Sequence, residues 1–150
     1  MNPEDLEKIS AAEKDKERQF HHRVRVCVAA GCLSMHSDAI KDKLEQEVHR
    51  RGLAHTCQVK GVGCLGLCAE GPLVSLDCGD VLYRGVTAAD APEIISSLET
   101  QPVERLRMPT EVPFFTRQRK VVLENSGMID AERIEDYIAV GGYKALLRAL

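Results

Sequence analysis

Residues 59–72, VKGVGCLGLCAEGP, and residues 27–32, CVAAGC, each carry a close cysteine pair at the end of an apolar run. The pairs are Cys27 with Cys32 and, after a gap of 31 residues, Cys64 with Cys68. Thiolates are soft ligands, so a site made only of them selects an iron–sulfur cluster or zinc over a hard cation. The interspersed glycines allow tight bends in which backbone amides point at an anionic centre. We therefore predict one buried metal site held by these four sulfurs.

Most other uses of paired cysteines fit this sequence less well than an iron–sulfur cluster, and structural zinc is the exception. A disulfide framework belongs to secreted domains, whereas this chain opens with a strongly polar stretch and no export signal. A redox CxxC is excluded because no two cysteines are two residues apart, and a plant-type ferredoxin would need a cysteine where Met35 stands. None of the histidines (His21, His22, His36, His49 and His55) lies between paired cysteines as a Rieske-type cluster requires. Structural zinc stays open as the alternative.

Composition narrows the class of protein. At 150 residues with 44% apolar content, the chain is long enough for one domain with a sizeable core and an appendage. A formal charge of −3 argues against nucleic acid or an anionic membrane as the main partner. No apolar run approaches the roughly 18 to 20 residues of a membrane span. Six cysteines without an export signal predict a reducing, cytoplasmic location.

Hydrophobic periodicity predicts a strand at 23–29, and a helix that Ser37 or Asp38 caps and Gly52 stops. A second strand follows at 55–60. The runs 73–76 and 81–83 then flank a turn at 78–80, which predicts a hairpin. Thr87 and Asp90 have the spacing of a capping box that opens a final helix ending near Leu98.

This order of elements predicts an α/β fold with a small mixed sheet and flanking helices, the thioredoxin arrangement. The first two strands are joined by a helix, which favours a parallel pair lying side by side. Both cysteine pairs follow these strands and would meet at one edge of the sheet.

We divide the chain into four parts: a charged helical arm (1–22), the sheet domain (23–99), a proline-containing linker (100–113) and a mostly helical extension (114–150). In the extension, 114–127 fits a helix and a strand about equally well. Asp130 is expected to cap the next helix. We expect a last apolar face, formed by Tyr137, Ile138, Tyr143, Leu146 and Leu147, to be incompletely buried without a further partner surface, and the chain to be the beginning of something larger.

Residues 24–98 resemble the thioredoxin-like 2Fe-2S ferredoxins, on the strength of both cysteine pairs, the segment 63–74 and the region of Tyr83 and Thr87. Residues 113–146 resemble the entry segment of the flavin- and NADH-binding subunit family of complex I. The two together are typical of diaphorase subunits of NAD-coupled hydrogenases and formate dehydrogenases.

The resemblance implies one-electron transfer through a 2Fe-2S cluster held by Cys27, Cys32, Cys64 and Cys68, in the relay domain of an NADH-linked oxidoreductase. It implies a flavin- and NADH-binding domain and other iron–sulfur subunits as partners, with a homodimer as a further option. FMN, NAD and a 4Fe-4S cluster are expected only downstream of Leu150, so we do not expect this chain alone to oxidise NADH. The alternative is a zinc-stabilised interaction module that scaffolds a complex.

Outside the motif, we expect Cys57 and Cys78 to be small buried hydrophobes. Leu33, Leu65 and Leu67 are expected to keep water from the metal site, and Glu70 to face solvent.

Overall fold

A computed structural model describes residues 3–77 and 80–150 of the chain. It contains a five-stranded mixed sheet in the order β2-β1-β3-β4-β5, and the strands are β1 (His22–Cys27), β2 (Cys57–Val62), β3 (Val74–Leu76), β4 (Val81–Tyr83) and β5 (Arg107–Met108). The helices are α1 (Pro3–Arg18), α2 (Ala30–Leu33), α3 (Ser37–Arg50), α4 (Ala91–Ser96), α5 (Pro113–Thr116), α6 (Ile134–Ala139) and α7 (Lys144–Ala149). Short 3-10 turns lie at Cys68–Glu70, Ala88–Asp90 and Ser97–Glu99. Among the described residues, no helix combines the length and apolar character needed to cross a bilayer.

One end of the sheet is formed by the parallel pair β1 and β2, with β2 as the edge strand; Val24 lies opposite Val59 and Cys27 opposite Val62. On its other edge β1 pairs with β3 in antiparallel fashion, and β3 continues into β4 as an antiparallel hairpin. The predicted α/β mixed sheet is therefore confirmed. Cys78, which belongs to the turn predicted at 78–80, lies outside the described residues.

The main core lies between one face of the sheet and helices α3 and α4. Alternate residues of β1, Val24 and Val26, point into it because successive side chains of a strand face opposite sides. On α3 the apolar positions recur every fourth residue, as predicted, and all three are buried: Ile40, Leu44 and Val48. The predicted capping box is also present. The amide and the hydroxyl of Thr87 both donate to the Asp90 carboxylate, in the 3-10 turn that leads into α4.

The start of α3 differs from the prediction that Ser37 or Asp38 caps it. The helix begins at Ser37, so the capping position falls on His36, which has a left-handed backbone (φ 61°) and makes no side-chain capping bond. The Ser37 hydroxyl is buried without a hydrogen-bond partner. Residues 34–36 form a tight turn between α2 and α3, and the left-handed His36 stands where an extended capping residue would be needed.

Residues 100–113, predicted to be a linker, contain a strand of the sheet. Strand β5 pairs with β4, with Met108 opposite Leu82 and Arg107 opposite Tyr83. Just before it, Val103 and Leu106 are buried in the main core. The prolines that suggested a linker flank this short edge strand, a position in which proline is tolerated because its nitrogen need not enter the ladder.

The extension after β5 forms short helices separated by turns. Residues 114–127, where helix and strand fitted equally well, form most of α5 and then turns. Asp130 does not cap the next helix, because α6 begins at Ile134 and the capping position is Arg133. The Asp130 carboxylate instead accepts a bond from the Glu132 amide in the preceding turn.

A charged layer covers the second face of the sheet and joins both ends of the chain to it. Lys60 on β2 is only 9% exposed and donates to Asp136 of α6 at 2.8 Å, and it also pairs with Glu17 of α1. Next to this group, the guanidinium of Arg133 holds both oxygens of the buried Glu13 carboxylate, at 2.9 and 3.1 Å. The arm is thus a helix, as predicted, but it is packed against α6 and ion-paired.

Burial and ion pairing act in opposite directions on the Asp136 carboxyl. Burial by itself would raise the pKa of Asp136, but hydrogen bonds from Lys60 and the Asp130 amide, with the nearby charge of Arg133, bring it below its ordinary value. The pKa of Glu17 is lowered in the same way by Lys60, against the effect of its burial. Both carboxylates are therefore held in the charged form that their ion pairs with Lys60 require.

The buried hydroxyl of Tyr83 gives a test of the structure of residues 100–108. The Val103 amide donates to this oxygen at 2.9 Å, and Tyr83 is fully buried. Tyr83→Phe should lower the free energy of unfolding in urea by about 1–3 kcal/mol, because it leaves a buried N–H unsatisfied. The matched change Tyr143→Phe, at a partly exposed ring, should alter it by less than about 0.5 kcal/mol. Equal effects of the two changes would contradict the placement of Val103.

The Asp136 carboxylate should also leave a mark on the pH dependence of stability. Its folded pKa lies below the unfolded value, so its contribution is complete above the unfolded pKa and is lost as pH falls through the folded one. Asp136→Asn should cost about 3 kcal/mol at pH 7 and flatten the loss of stability below about pH 4. The exposed Asp42→Asn is the control. An unchanged acid profile for Asp136→Asn would show that the ion pair between Lys60 and Asp136 does not form.

Candidate metal centre

The neighbouring parallel strands β1 and β2 deliver the cysteine pairs to one end of the sheet. Cys27 is the last residue of β1, and Cys32 lies one turn later on α2. Past the end of β2, Cys64 lies in the loop and Cys68 opens a 3-10 turn. Backbone bonds hold the ends of the strands together, with the Val28 amide donating to the Val62 carbonyl at 2.9 Å. The predicted meeting of the two motifs at one edge is confirmed.

The four thiols form two pairs of different exposure. Cys27 and Cys32 are buried, at 1% and 0%, and the neighbouring Cys27 thiol helps to raise the pKa of Cys32. Cys64 and Cys68 have their sulfurs 3.7 Å apart, and Cys68 is exposed. The two pairs also sense each other electrostatically, because the charge of Cys68 acts on Cys32 and that of Cys27 acts on Cys68.

Both pairs contain a thiol whose deprotonation is disfavoured. Burial raises the pKa of the Cys32 thiol to about 11, although a bond from the Leu73 backbone works against this. The pKa of Cys68 is raised mainly by its hydrogen bond with Cys64. Crowding of thiolates is costly unless a cation compensates their charge, so this arrangement suits a positively charged metal centre.

Backbone packs closely round the sulfurs at two glycines. A Cβ atom at Gly71 would lie 3.1 Å from the Cys32 sulfur and 2.7 Å from the Met35 methyl. A Cβ atom at Gly31 would lie 3.6 Å from the Cys68 sulfur. In the second loop, the Gly66 amide donates to the Cys64 sulfur at 3.3 Å. Amide bonds to sulfur and close main-chain approach are what an anionic sulfur-ligated group needs.

A small apolar cluster shields this end of the sheet. Cys27 and Cys32 belong to it together with Leu73 and Leu82, and the partly buried side chains packed against it are Ala29, Leu65, Leu67, Met108 and Phe115. Leu65 and Leu67 thus lie where they were predicted. Leu33 does not, since it is 43% exposed because it lies on the outer side of the short helix α2.

The remaining predicted residues are placed as follows. Cys57 is buried in the main core, as expected, whereas Cys78 lies outside the described residues. Glu70, expected to face solvent, is half-buried and pairs with Arg84 at 2.9 Å. Across residues 3–77 and 80–150, no three His, Cys, Asp or Glu side chains converge closely enough to hold a single metal ion. The thiols stand as two pairs, and two irons that each take two sulfurs fit such a set.

Three contacts to this site come from residues that sequence reasoning did not connect with it. The Ser126 hydroxyl donates to the Cys64 carbonyl at 2.7 Å, and the Gly63 amide donates to the Ile129 carbonyl at 3.4 Å. Phe115 packs against the cysteine cluster. Each of these residues lies more than forty positions after Cys68 in the sequence, so no local signal could have identified them.

Comparison with known proteins agrees with the cysteine geometry. A family model described as thioredoxin-like [2Fe-2S] ferredoxin matches residues 14–99. A relative from Clostridium pasteurianum, named "Ferredoxin, 2Fe-2S", is 32% identical over 84 residues, which cover 51% of this chain and 82% of that protein.

Solved structures give the same result. The crystal structure of the thioredoxin-like [2Fe-2S] ferredoxin from Aquifex aeolicus is similar with a TM-score of 0.56 at 26% identity, covering 60% of this chain and 98% of that one. A cysteine-to-serine variant of the same protein gives a TM-score of 0.55 at 25% identity, covering 59% and 98%. The chain therefore belongs to the thioredoxin-like [2Fe-2S] ferredoxin family, and this membership implies a 2Fe-2S cluster and ferredoxin-like electron transfer.

Proposed function

We propose that this chain is the one-electron relay domain of an NADH-linked oxidoreductase complex, with Cys27, Cys32, Cys64 and Cys68 as the four ligands of its 2Fe-2S cluster. The observation that carries the proposal is the meeting of two thiol pairs at the ends of the parallel strands β1 and β2. Soft sulfur donors in a set of four fit such a cluster.

When bound, a 2Fe-2S cluster accepts and releases one electron at a time. The residues of the chain set the conditions for this. Cys27 and Cys32 hold the buried side, where the apolar cluster excludes water, while the Gly66 amide offers a bond to sulfur that offsets added negative charge. Cys68 is exposed, so electrons would enter and leave on its side of the site.

The proposed partner is a flavin- and NADH-binding domain, together with further iron–sulfur subunits. Two features of the extension support it. The segment 113–146 resembles the entry segment of that family, and it presents exposed apolar side chains next to basic ones. Val121, Val122 and Leu123 follow Arg117, Arg119 and Lys120, and Val122 is 93% exposed. Tyr137, Tyr143 and Leu146 are also exposed, whereas Ile138 of the same predicted face is buried. A contiguous exposed apolar surface beside basic side chains marks an interaction site.

The ligand assignment is tested by cysteine variants of the chain purified without oxygen. The wild type should be brown and contain iron and acid-labile sulfide. Each of Cys27→Ala, Cys32→Ala, Cys64→Ala and Cys68→Ala should lose most of both, because an iron needs two of these sulfurs to complete its coordination.

The control is Cys57→Ala, which removes a buried core cysteine away from the site and should keep the visible spectrum. A colourless wild type containing zinc would establish the interaction module instead. Loss of iron in Cys57→Ala with retention in Cys32→Ala would overturn the ligand set.

The partner assignment is tested by electron delivery. A flavin- and NADH-binding subunit of the complex I type, from the same genome, should bleach the visible absorption of the chain when NADH is added. Val122→Asp should slow this bleaching at least tenfold, since it puts a charge into the apolar contact. The control is Ala39→Asp on the exposed side of α3. Equal rates for the two variants would place the docking surface elsewhere.

A further inference from the structure

The turn at residues 126–129 lies directly against the loop that carries Cys64. The Ser126 hydroxyl donates to the Cys64 carbonyl at 2.7 Å, while the Gly63 amide donates to the Ile129 carbonyl at 3.4 Å. The loop backbone is therefore bonded on both sides of the Gly63–Cys64 peptide by residues outside the segment 14–99 that matches the family.

Close approach of the two backbones makes this contact specific. Gly127 is buried between Ser126 and Met128 and has a left-handed φ of 81°. A Cβ atom there would lie 2.6 Å from a Leu65 methyl and 3.5 Å from the Cys64 carbonyl oxygen. Only a residue without a side chain lets the turn come so near to the loop while keeping this conformation.

The turn is itself fixed to the strand from which the loop emerges. The amide of Asp130, one residue past Ile129, donates to Asp136 at 3.0 Å, and Asp136 accepts from Lys60 on β2 at 2.8 Å. Strand β2 then runs through Val62 to Gly63. Strand, loop, turn and α6 thus close a ring of contacts, in which the loop cannot open without breaking the bond to Ser126 or moving the whole turn.

We infer that Ser126 is a positioning residue of the metal centre, which holds the Cys64 loop closed from outside the ferredoxin fold. This rests on the proposed function, since it takes Cys64 as a ligand. Ser126 acts through the Cys64 carbonyl, to which its hydroxyl donates. With the loop closed, the Gly66 amide keeps its bond to the Cys64 sulfur. Each opening of the loop would break that bond and expose the Cys64 sulfur, which is only partly exposed when the loop is closed.

The test compares Ser126→Ala with wild type in the full chain by three measurements: amide exchange of residues 63–68, the rate at which a ferrous chelator removes iron, and the electron paramagnetic resonance line shape of the reduced protein. Loss of one hydrogen bond should speed exchange and iron loss about fivefold. The resonance should broaden, because the Cys64 loop takes several arrangements. General loss of stability would not alter the line shape of the folded protein.

Two further comparisons make the result specific. Ser126→Thr and Ser126→Val have the same shape and differ in the hydroxyl, so Thr should behave as wild type and Val as Ala. Thr116→Val removes another hydroxyl-to-carbonyl bond of the extension, the one to Val112, and should leave all three measurements unchanged.

The inference is overturned when Ser126→Ala matches wild type, when Thr and Val at this position behave alike, or when Thr116→Val has the same effect. A wild-type chain without iron would instead refute the proposed function. In that case amide exchange of residues 63–68 in the purified chain still decides whether Ser126 holds the loop closed.

Discussion

Parallel pairing of β1 and β2 is the constraint on which the rest of the structure depends. Parallel neighbours end at the same edge of a sheet, so loops that are distant in sequence meet there. In this chain the register places Cys27 opposite Val62, two residues before Cys64. A shift by one residue would turn the apolar side chains Val24 and Val26 from the core to the charged face, and the core therefore fixes the register that the sulfurs need.

The same alternation that builds the core creates a problem on the opposite face. Arg25 and Lys60 are neighbours across the two strands, and both are cationic. Asp77 pairs with Arg25, while Glu17 and Asp136 pair with Lys60. Removing a partner from such a buried group is costly, because it leaves a charge without compensation. The helices α1 and α6 are consequently part of the second layer of the sheet, and their packing follows from the charges that β1 and β2 present.

The sequence was sufficient for features that short-range patterns determine. The cysteine spacing, the four-residue spacing of Ile40, Leu44 and Val48, and the capping box of Thr87 and Asp90 all depend on neighbours in sequence. Strand β5 was not predicted, because it has only two residues, Arg107 and Met108, and shows no alternation of its own. It forms because β4 offers an open edge for pairing. The start of α6 and the contact of Ser126 with Cys64 could not be predicted from the sequence either, since they depend on tertiary contacts across 62 or more positions. The division into arm, domain, linker and extension remains a prediction as a whole.

The ion pair between Lys60 and Asp136 spans 76 positions of the chain. The other partner of Lys60, Glu17, precedes the lysine by 43 residues and is therefore synthesised before it. During synthesis, domains generally fold from the amino terminus as the chain emerges. A nascent chain that has passed β4 could therefore assemble the sheet with Lys60 neutralised by Glu17 alone. The arm would then serve as a temporary counterion, and the second carboxylate would arrive only when α6 leaves the ribosome. Closure of the loop by Ser126 would belong to that same last step. An incompletely translated chain would thus hold its cysteine pairs in place before the turn at 126–129 packs against the Cys64 loop.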